Sequence, residues 1–372
     1  MSSLGRVVVA MSGGVDSSVT AALLKEDGYE VIGITMQIWP SDETATRADI
    51  FNSCCSLKAA EDARRVAQKL EIPHYMINFR EVFARQVITN FCQEYTKGRT
   101  PNPCIRCNQY IKFGALLKKA ISLDARFVAT GHYARIEFDK TRRRYLLKKG
   151  YDLKKDQSYV LYMMTQEQLR HTLMPLGKLT KEKVRKLAQQ RKLGVADKAE
   201  SQEICFIPNN NYGEYLQEYL PRATKPGPIF DKEGKILAEH KGILFYTIGQ
   251  RKRMGIAVGE PLYVIAIDRE RNAIIVGREE DVYTDELIAS EINYIDRERL
   301  TEPIKVKAKI RYSAQEAEVI LTPKGKDKVQ LKFRQPQRAI TPGQAVVFYR
   351  GDEVIGGGTI SSSCLTKKNL LK

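Results

Sequence analysis

Between an apolar run, Arg6-Val7-Val8-Val9-Ala10, and a stretch of helical periodicity lies Ser12-Gly13-Gly14-Val15-Asp16-Ser17-Ser18. Two glycines let a backbone come close to a ligand and adopt conformations that other residues avoid. Ser12, Ser17 and Ser18 add hydroxyl donors, and the following helix aims its first amides and positive dipole end at the same place. The chemistry this suits is the holding of phosphates. The string is not a Walker A loop, because the Gly-Lys-Ser/Thr ending is missing, and its glycine spacing is not the dinucleotide fingerprint. Asp16 in an anion site would repel phosphate unless a divalent cation lay between them, so it is assigned to Mg²⁺. The bland alternative makes Asp16 the N-cap of the helix.

Seven cysteines make the second chemical resource. An odd number, irregularly spaced in a long chain, is a poor disulfide framework, and in a reducing compartment close cysteines more often bind metal or react. Cys104 and Cys107 sit in Thr100-Pro101-Asn102-Pro103-Cys104-Ile105-Arg106-Cys107-Asn108, with Arg99 and Arg106 nearby. A cationic neighbourhood favours the thiolate. Cys205 lies in Glu200-Ser201-Gln202-Glu203-Ile204-Cys205-Phe206-Ile207-Pro208. A structural zinc site wants four ligands in two close pairs, and adjacent Cys54-Cys55 is a poor second pair. Cys92 and Cys364 read as inert.

The elements that must hold these residues alternate in type. Tyr29–Met36 reads as a second strand, a helix with Leu57, Ala60, Ala63, Val66 and Leu70 on one face follows, and His74–Asn78 reads as a third strand. This βαβαβ order implies a parallel sheet covered by helices, which binds ligands beyond the carboxyl ends of its strands. Arg126–Thr130 is a further strand, ending at Gly131-His132-Tyr133, and helical patterns cover 166–171 and 181–191. Pro221, Pro226, Gly227 and Pro228 mark a linker. Beyond it, Ile304-Lys305-Val306-Lys307-Ala308-Lys309-Ile310-Arg311 alternates strictly, apolar side chains on one face and cations on the other. Val329–Arg334 repeats the pattern, so a small β-barrel with a basic outer face is expected. The expected domains are 1–210 (nucleotide-binding and catalytic), 211–285 (small, central) and 286–372 (basic barrel).

The net charge is +17, concentrated in two stretches: +8 over residues 301–372 and +6 over 140–156. Concentrated positive charge is the footprint of a polyanionic partner, although a solvated surface would also be basic. Hydrophobic residues make up 43% and charged ones 28% of the chain, a globular composition. No apolar run is long enough to span a bilayer, and Met1–Arg6 leads straight into a strand, so no secretory leader is expected. A cytoplasmic protein is the expectation.

The glycine string resembles the PP-loop of the ATP pyrophosphatases, which cleave ATP to AMP and pyrophosphate while adenylating a substrate. With the cysteines, the chain is similar to the tRNA-specific 2-thiouridylase family. The likeness runs over Ala10–Ser17, Cys107-Asn108 with Ile111-Lys112-Phe113, Thr130–Ala134, Lys155–Ser158, Ser201–Phe206, Tyr246-Thr247-Ile248-Gly249-Gln250-Arg251 and Pro342-Gly343-Gln344. It therefore covers nearly the whole chain. The resemblance implies an α/β, adenine-nucleotide-hydrolase-like parallel-sheet domain, then a small central domain and a C-terminal β-barrel. It implies an ATP-dependent tRNA-uridine 2-sulfurtransferase acting on the wobble uridine, U34. Its partners would be tRNA and a sulfur-donor protein (a cysteine desulfurase or a sulfur-relay protein), with no membrane.

By the same resemblance Cys107 is the nucleophile and Cys205 carries a persulfide, the two pairing transiently in a disulfide. Ala10, Met11, Ser12, Gly13, Gly14, Val15, Asp16, Ser17, Met36 and Gly131 contact ATP. Asn102, Pro103 and Cys104 approach the target base, and His132, Lys155, Asp156, Gln157, Arg311, Tyr312 and Gln344 meet tRNA. Taken alone, Met36 reads as strand packing and His132 as structural. Many relatives carry aspartate where this chain has Cys104, which removes an acid–base group and adds a thiol. Two forms stay open at this point: persulfide–disulfide chemistry, and a 4Fe–4S cluster held by Cys104, Cys107 and Cys205. A small-molecule amidating synthetase would need neither the cysteines nor the basic stretches, and an RNA-binding protein without catalysis would leave the phosphate loop idle.

Overall fold

Val7, Val8 and Val9 have no exposed surface, as a strand with helices on both its faces requires. They belong to β1 (Arg6–Ala10), which in a computed structural model pairs in parallel with β2 (Glu30–Gln37) on one side and β4 (Phe127–Ala129) on the other. The structure describes residues 4–39, 57–199, 204–207, 211–220, 224–256, 259–325 and 327–363. Cys54, Cys55, Glu200–Glu203, Pro221 and Cys364 lie outside them. β3 (His74–Asn78) continues the parallel sheet beyond β2, and β7 (Thr172–Leu173) continues it beyond β4, giving the order β3-β2-β1-β4-β7. The strand order reverses between β1 and β4. In such sheets the crevice at that reversal, past the carboxyl ends, is where ligands bind.

The chain forms two compact units. The first takes in residues 1–88, 103–210 and 351–354, the second residues 89–102, 211–350 and 355–372. In the first, helix Val15–Glu26 follows β1, and helix Leu57–Lys69 follows β2 in the described chain. The second helix buries Ala59, Ala60, Ala63, Val66 and Ala67, whereas Leu57, expected on the buried face, is 61% exposed. A hairpin, β5 (Ala134–Asp139) with β6 (Arg144–Lys149), accounts for a basic stretch that showed no strand signal. A helical run covers 103–121. Pro103 opens it, a position that needs no backbone N–H, and Cys107–Ala115 is π-helical, with Leu116 N–H bonded to Ile111 O.

The second unit begins with helix Thr89–Thr96. It then holds a four-stranded sheet, built from β8 (Gly227–Phe230), β9 (Ile236–His240), β10 (Tyr263–Asp268) and β11 (Ala273–Gly277) in the order β10-β11-β8-β9. The remaining strands are β12 (Tyr283–Tyr294), β13 (Ile304–Lys309), β14 (Ala317–Pro323), β15 (Lys328–Arg338), β16 (Ala345–Arg350) and β17 (Glu353–Ser363). They run in the order β12-β15-β14-β13-β16-β17, and β12 pairs with β17 to close the barrel. In β13, Val306 and Ala308 are buried while Lys305 and Lys307 face out, the alternation expected from the sequence. No helix among the described residues is long and apolar enough to cross a membrane.

Candidate active site

The phosphate loop leaves β1 and enters helix Val15–Glu26 through Gly14, whose extended backbone makes it the N-cap. Asp16 therefore stands in the first turn, not at the cap. The loop is braced from within: Ser17 Oγ accepts from Ser12 N at 3.2 Å and donates to Gly14 O at 3.1 Å, and Ser18 Oγ donates to Gly14 O at 2.9 Å. Gly13 has φ +68°, and a Cβ there would lie 2.0 Å from Ala59 O. Only glycine fits. Gly131, just beyond β4, stands against the same helix turn, since a Cβ on it would come within 2.8 Å of Asp16 and 3.0 Å of Ser17 N. The loop after β1 and the turn after β4 thus meet at the strand-order reversal.

Asp16 has partners that sequence reading did not find. Its Oδ1 accepts from Tyr133 Oη at 2.8 Å, and Lys181 Nζ lies 2.8 Å from Oδ1 and 2.7 Å from Oδ2. Lys181 is 8% exposed and begins helix Lys181–Gln190. A second lysine, Lys198, donates to Gly13 O at 3.0 Å and to Asp62 at 2.6 Å. In this structure a lysine offsets the charge of Asp16. Neither lysine belongs to a motif, and both reach the loop from more than 160 residues away in sequence.

Cys107 opens the π-helical stretch, an irregularity often found at functional sites. Cys104 is exposed and Cys107 half-buried, while Ile105 between them is 6% exposed and anchors the turn. Asn108 is 3% exposed, and its Nδ2 donates to Val160 O at 3.0 Å. The π-helical stretch packs on helix Arg80–Phe83. Cys205, also half-buried, precedes Phe206, whose ring meets Phe83 edge-on with centroids 5.6 Å apart. Both cysteine segments therefore converge on one short helix inside the first unit. Cys104, Cys107 and Cys205 are not gathered into a group of three metal ligands, and no such group occurs among the described residues. Cys92 is buried, and that burial pushes its thiol up to about 11, consistent with an inert side chain.

Three family models match the chain: a tRNA methyl transferase HUP domain over residues 5–209, a tRNA methyl transferase PRC-barrel domain over 213–278, and an aminomethyltransferase beta-barrel domain over 284–360. The tRNA-specific 2-thiouridylase MnmA 1 of Caldanaerobacter subterraneus subsp. tengcongensis is 59% identical over 355 residues, covering 95% of this chain and 97% of that one. The tRNA-specific 2-thiouridylase MnmA of Acetivibrio thermocellus is 54% identical over 355 residues, covering 95% and 99%. The chain belongs to the tRNA-specific 2-thiouridylase family. A 4-thiouridine synthetase–RNA complex with bound ATP aligns with 58% of this chain and 50% of its own, at 16% identity and a TM-score of 0.36.

Several residues expected from the sequence to meet tRNA also make contacts within the protein. His132 is 8% exposed and shares a hydrogen bond of 2.8 Å with Thr130 Oγ1. Burial, with Lys112 nearby, holds its imidazole well below the usual range and therefore neutral. Gln157 Oε1 accepts from Tyr133 N at 3.0 Å. Asp156 accepts from Gly150 N at 3.0 Å and from the Ser158 hydroxyl at 2.9 Å, fixing the loop that carries half-buried Lys155. Met36 is half-buried at the end of β2. In the second unit, Arg311 donates to Arg338 O at 3.0 Å, and Tyr312 is 45% exposed with the Lys309 ammonium 5.7 Å from its ring centre. Gln344 Nε2 donates to Thr100 O at 2.9 Å.

Proposed function

We propose that this chain uses ATP to adenylate the wobble uridine of tRNA and exchanges its C2 oxygen for sulfur, giving 2-thiouridine, AMP and pyrophosphate. The observation that carries this reading is the presence, in one folded unit, of a phosphate loop at a strand-order reversal and of two cysteine segments packed on helix Arg80–Phe83. Membership in the 2-thiouridylase family supports the substrate.

The reaction follows from the groups. The uridine O2 attacks the α-phosphorus of ATP held over Ser12–Ser17, and pyrophosphate leaves. AMP on the oxygen makes a good leaving group of a poor one. The outer sulfur of a Cys205 persulfide attacks C2, and AMP departs with the oxygen. The Cys107 thiolate then attacks Cys205 Sγ. The S–S bond to the outer sulfur breaks, its electron pair stays on the sulfur bound to the base, and a Cys107–Cys205 disulfide forms. A thiol reductant reopens the disulfide, and a sulfur-donor protein reloads Cys205. Asn102–Cys104 approaches the base, and the basic barrel engages tRNA.

The Cys107 and Cys205 segments both pack on helix Arg80–Phe83, which supports chemistry that passes between these two thiols. Mg²⁺ enters as part of the nucleotide's own complex, with no residue of this chain assigned to it. Residues 1–210, 211–285 and 286–372 serve as catalytic, central and tRNA-binding parts, in a cytoplasmic setting. The test supplies the purified chain with ATP, tRNA and a persulfide source. The Cys205→Ser variant is expected to transfer AMP and release pyrophosphate without thiolating; normal thiolation by that variant would falsify the assignment.

A further inference from the structure

A π-helical stretch is rare and is found mostly as a single turn inside an α-helix. Cys107–Ala115 keeps that form over nine residues, so contacts from other elements must favour it over the α-helical alternative. Two side chains of the first unit supply them. Asn108 Nδ2 donates to Val160 O at 3.0 Å, at the start of the stretch. Gln168 Nε2 donates to Phe113 O at 2.8 Å and reaches Gln109 O at 3.4 Å. One amide group thus spans two carbonyls on successive turns of the wide helix. Gly114 leaves room for this arrangement, since a Cβ there would stand 3.0 Å from Gln109 O, five residues back.

Gln168 is itself fixed. It is the third residue of helix Gln166–Arg170 and closes a capping box: its Oε1 accepts from Thr165 N at 3.0 Å, and Thr165 Oγ1 accepts from Gln168 N at 3.2 Å. The cap settles which end of the side-chain amide is oxygen, so the NH₂ end faces the π-helical carbonyls. Further along the stretch, Ile111 and Leu116 have no exposed surface and Phe113 has 1%. These side chains cannot turn without opening a close-packed core. A slip from the π to the α register is therefore taken up at the other end, where Cys107 lies. One residue of slip turns that end by about 100° relative to the buried half.

We infer that Gln168 is a positioning residue: its amide holds the π-helical register of Cys107–Ala115 and thereby aims the Cys107 thiol. The inference rests on the proposed sulfurtransferase reaction, in which Cys107 acts last, on a base joined to Cys205 through an S–S bond. A misplacement of about 1 Å at a reacting group can lower a rate by roughly a hundredfold. Loss of the register leaves that S–S bond unbroken, whereas adenylation, which precedes the step, proceeds as before.

Two variants separate this role from helix capping. Gln168→Glu keeps the capping acceptor and, ionised at about pH 8, lacks the donor; Gln168→Met lacks both. Single-turnover release of thiolated tRNA is measured with ATP and a persulfide source, without added thiol reductant, beside pyrophosphate release and covalent tRNA–protein adduct. Alkylation of Cys104 and Cys107 is followed by mass spectrometry, trypsin cutting between them after Arg106. In both variants, release of thiolated tRNA is expected to slow about tenfold to a hundredfold, with pyrophosphate release within about twofold of the parent. An adduct that a thiol reductant cleaves should accumulate, and alkylation of Cys107 relative to Cys104 should change by at least about threefold. Parental release by Gln168→Glu overturns the inference, and a loss confined to Gln168→Met would assign Gln168 to capping alone. Unchanged Cys107 alkylation overturns it too, as does a fall in pyrophosphate release that matches the fall in thiolation. If the parent chain neither releases pyrophosphate nor thiolates, it is the sulfurtransferase reading that fails, and the alkylation comparison still decides the positioning.

Discussion

Replacing Lys181 by methionine tests the electrostatics of the phosphate loop. The ammonium lies 2.7 and 2.8 Å from the two oxygens of Asp16, and its removal leaves that carboxylate with the Tyr133 hydroxyl alone. Breaking a fully buried pair costs about 3–5 kcal/mol. The Asp16 side chain is 32% exposed here, which reduces the expected loss of stability to about 1–2 kcal/mol. The larger consequence is for the nucleotide. An uncompensated carboxylate about 5 Å from a phosphate, at an effective dielectric constant of about 20, opposes binding by roughly 3 kcal/mol per unit charge. Salt and solvent bring this nearer to about 1.4 kcal/mol, a tenfold rise in the KM for ATP. The decisive assay is a double-mutant cycle on ATP affinity. Asp16→Asn added to Lys181→Met should restore affinity to within about threefold of the parent, because the repelling charge is gone, giving a coupling of at least 1 kcal/mol. Purely additive effects would refute the reasoning and return Asp16 to the metal-binding role first expected of it.

Two further outcomes follow from the same unit. Gly131→Ala places a methyl within 2.8 Å of Asp16 and 3.0 Å of the Ser17 amide, so ATP affinity should fall at least tenfold while far-UV circular dichroism stays unchanged; parental affinity would show that the two loops can separate freely. His132 is held neutral in the folded state, and in the unfolded chain it titrates near its ordinary value, so the unfolded chain binds more protons once the pH drops to about 6.5. Its contribution to stability is present above that pH and declines as the pH falls below it. The urea midpoint should drop between pH 7 and pH 5, and His132→Gln should flatten that slope; an unaltered slope would show that His132 is not the group responsible.

The sequence revealed the parts of this protein whose signals are local. The valine run of β1, the glycine loop and the alternation in β13 each depend on neighbours within a few residues, and each appears where periodicity and turn chemistry put it. Membership in the family was legible too, because its motifs are short strings. What escaped were pairings across long stretches. Nothing near Asp16 announces Lys181, since a lysine opening a helix after the N-cap Thr180 is unremarkable by itself. The hairpin of β5 and β6 was hidden by its cations, which mask strand alternation. The π-helical stretch from Cys107 has the apolar spacing of an ordinary helix over its buried residues Ile111 and Phe113, and the wider turn shows only in the bond from Leu116 to Ile111. The family resemblance makes Gln344 a tRNA contact, and nothing near it announces its bond to Thr100, 244 residues away.

The charge excess shows the same difficulty at larger scale. Residues 140–156 carry +6 by composition, yet several of these cations are matched by carboxylates from other segments. Arg142 bonds Glu353 at 2.9 Å, Lys148 bonds Glu137 at 2.8 Å, and the nearby Arg135 is paired with both Glu137 and Asp352. Asp352 and Glu353 fold into this first unit from the far end of the sequence, so a window confined to 140–156 could not include them. An ion pair already made releases fewer counterions when a polyanion arrives, so these residues contribute less to salt-dependent binding than their number suggests. On the barrel, Lys305 is exposed on the outer face of β13 and lies opposite Ile320, with Glu318 close enough to feel its charge. Even Lys307, two residues on, stands opposite Glu318. The polyanion footprint therefore has to be read from how cations and carboxylates are paired in the fold, and not from a count of cations in a window of sequence.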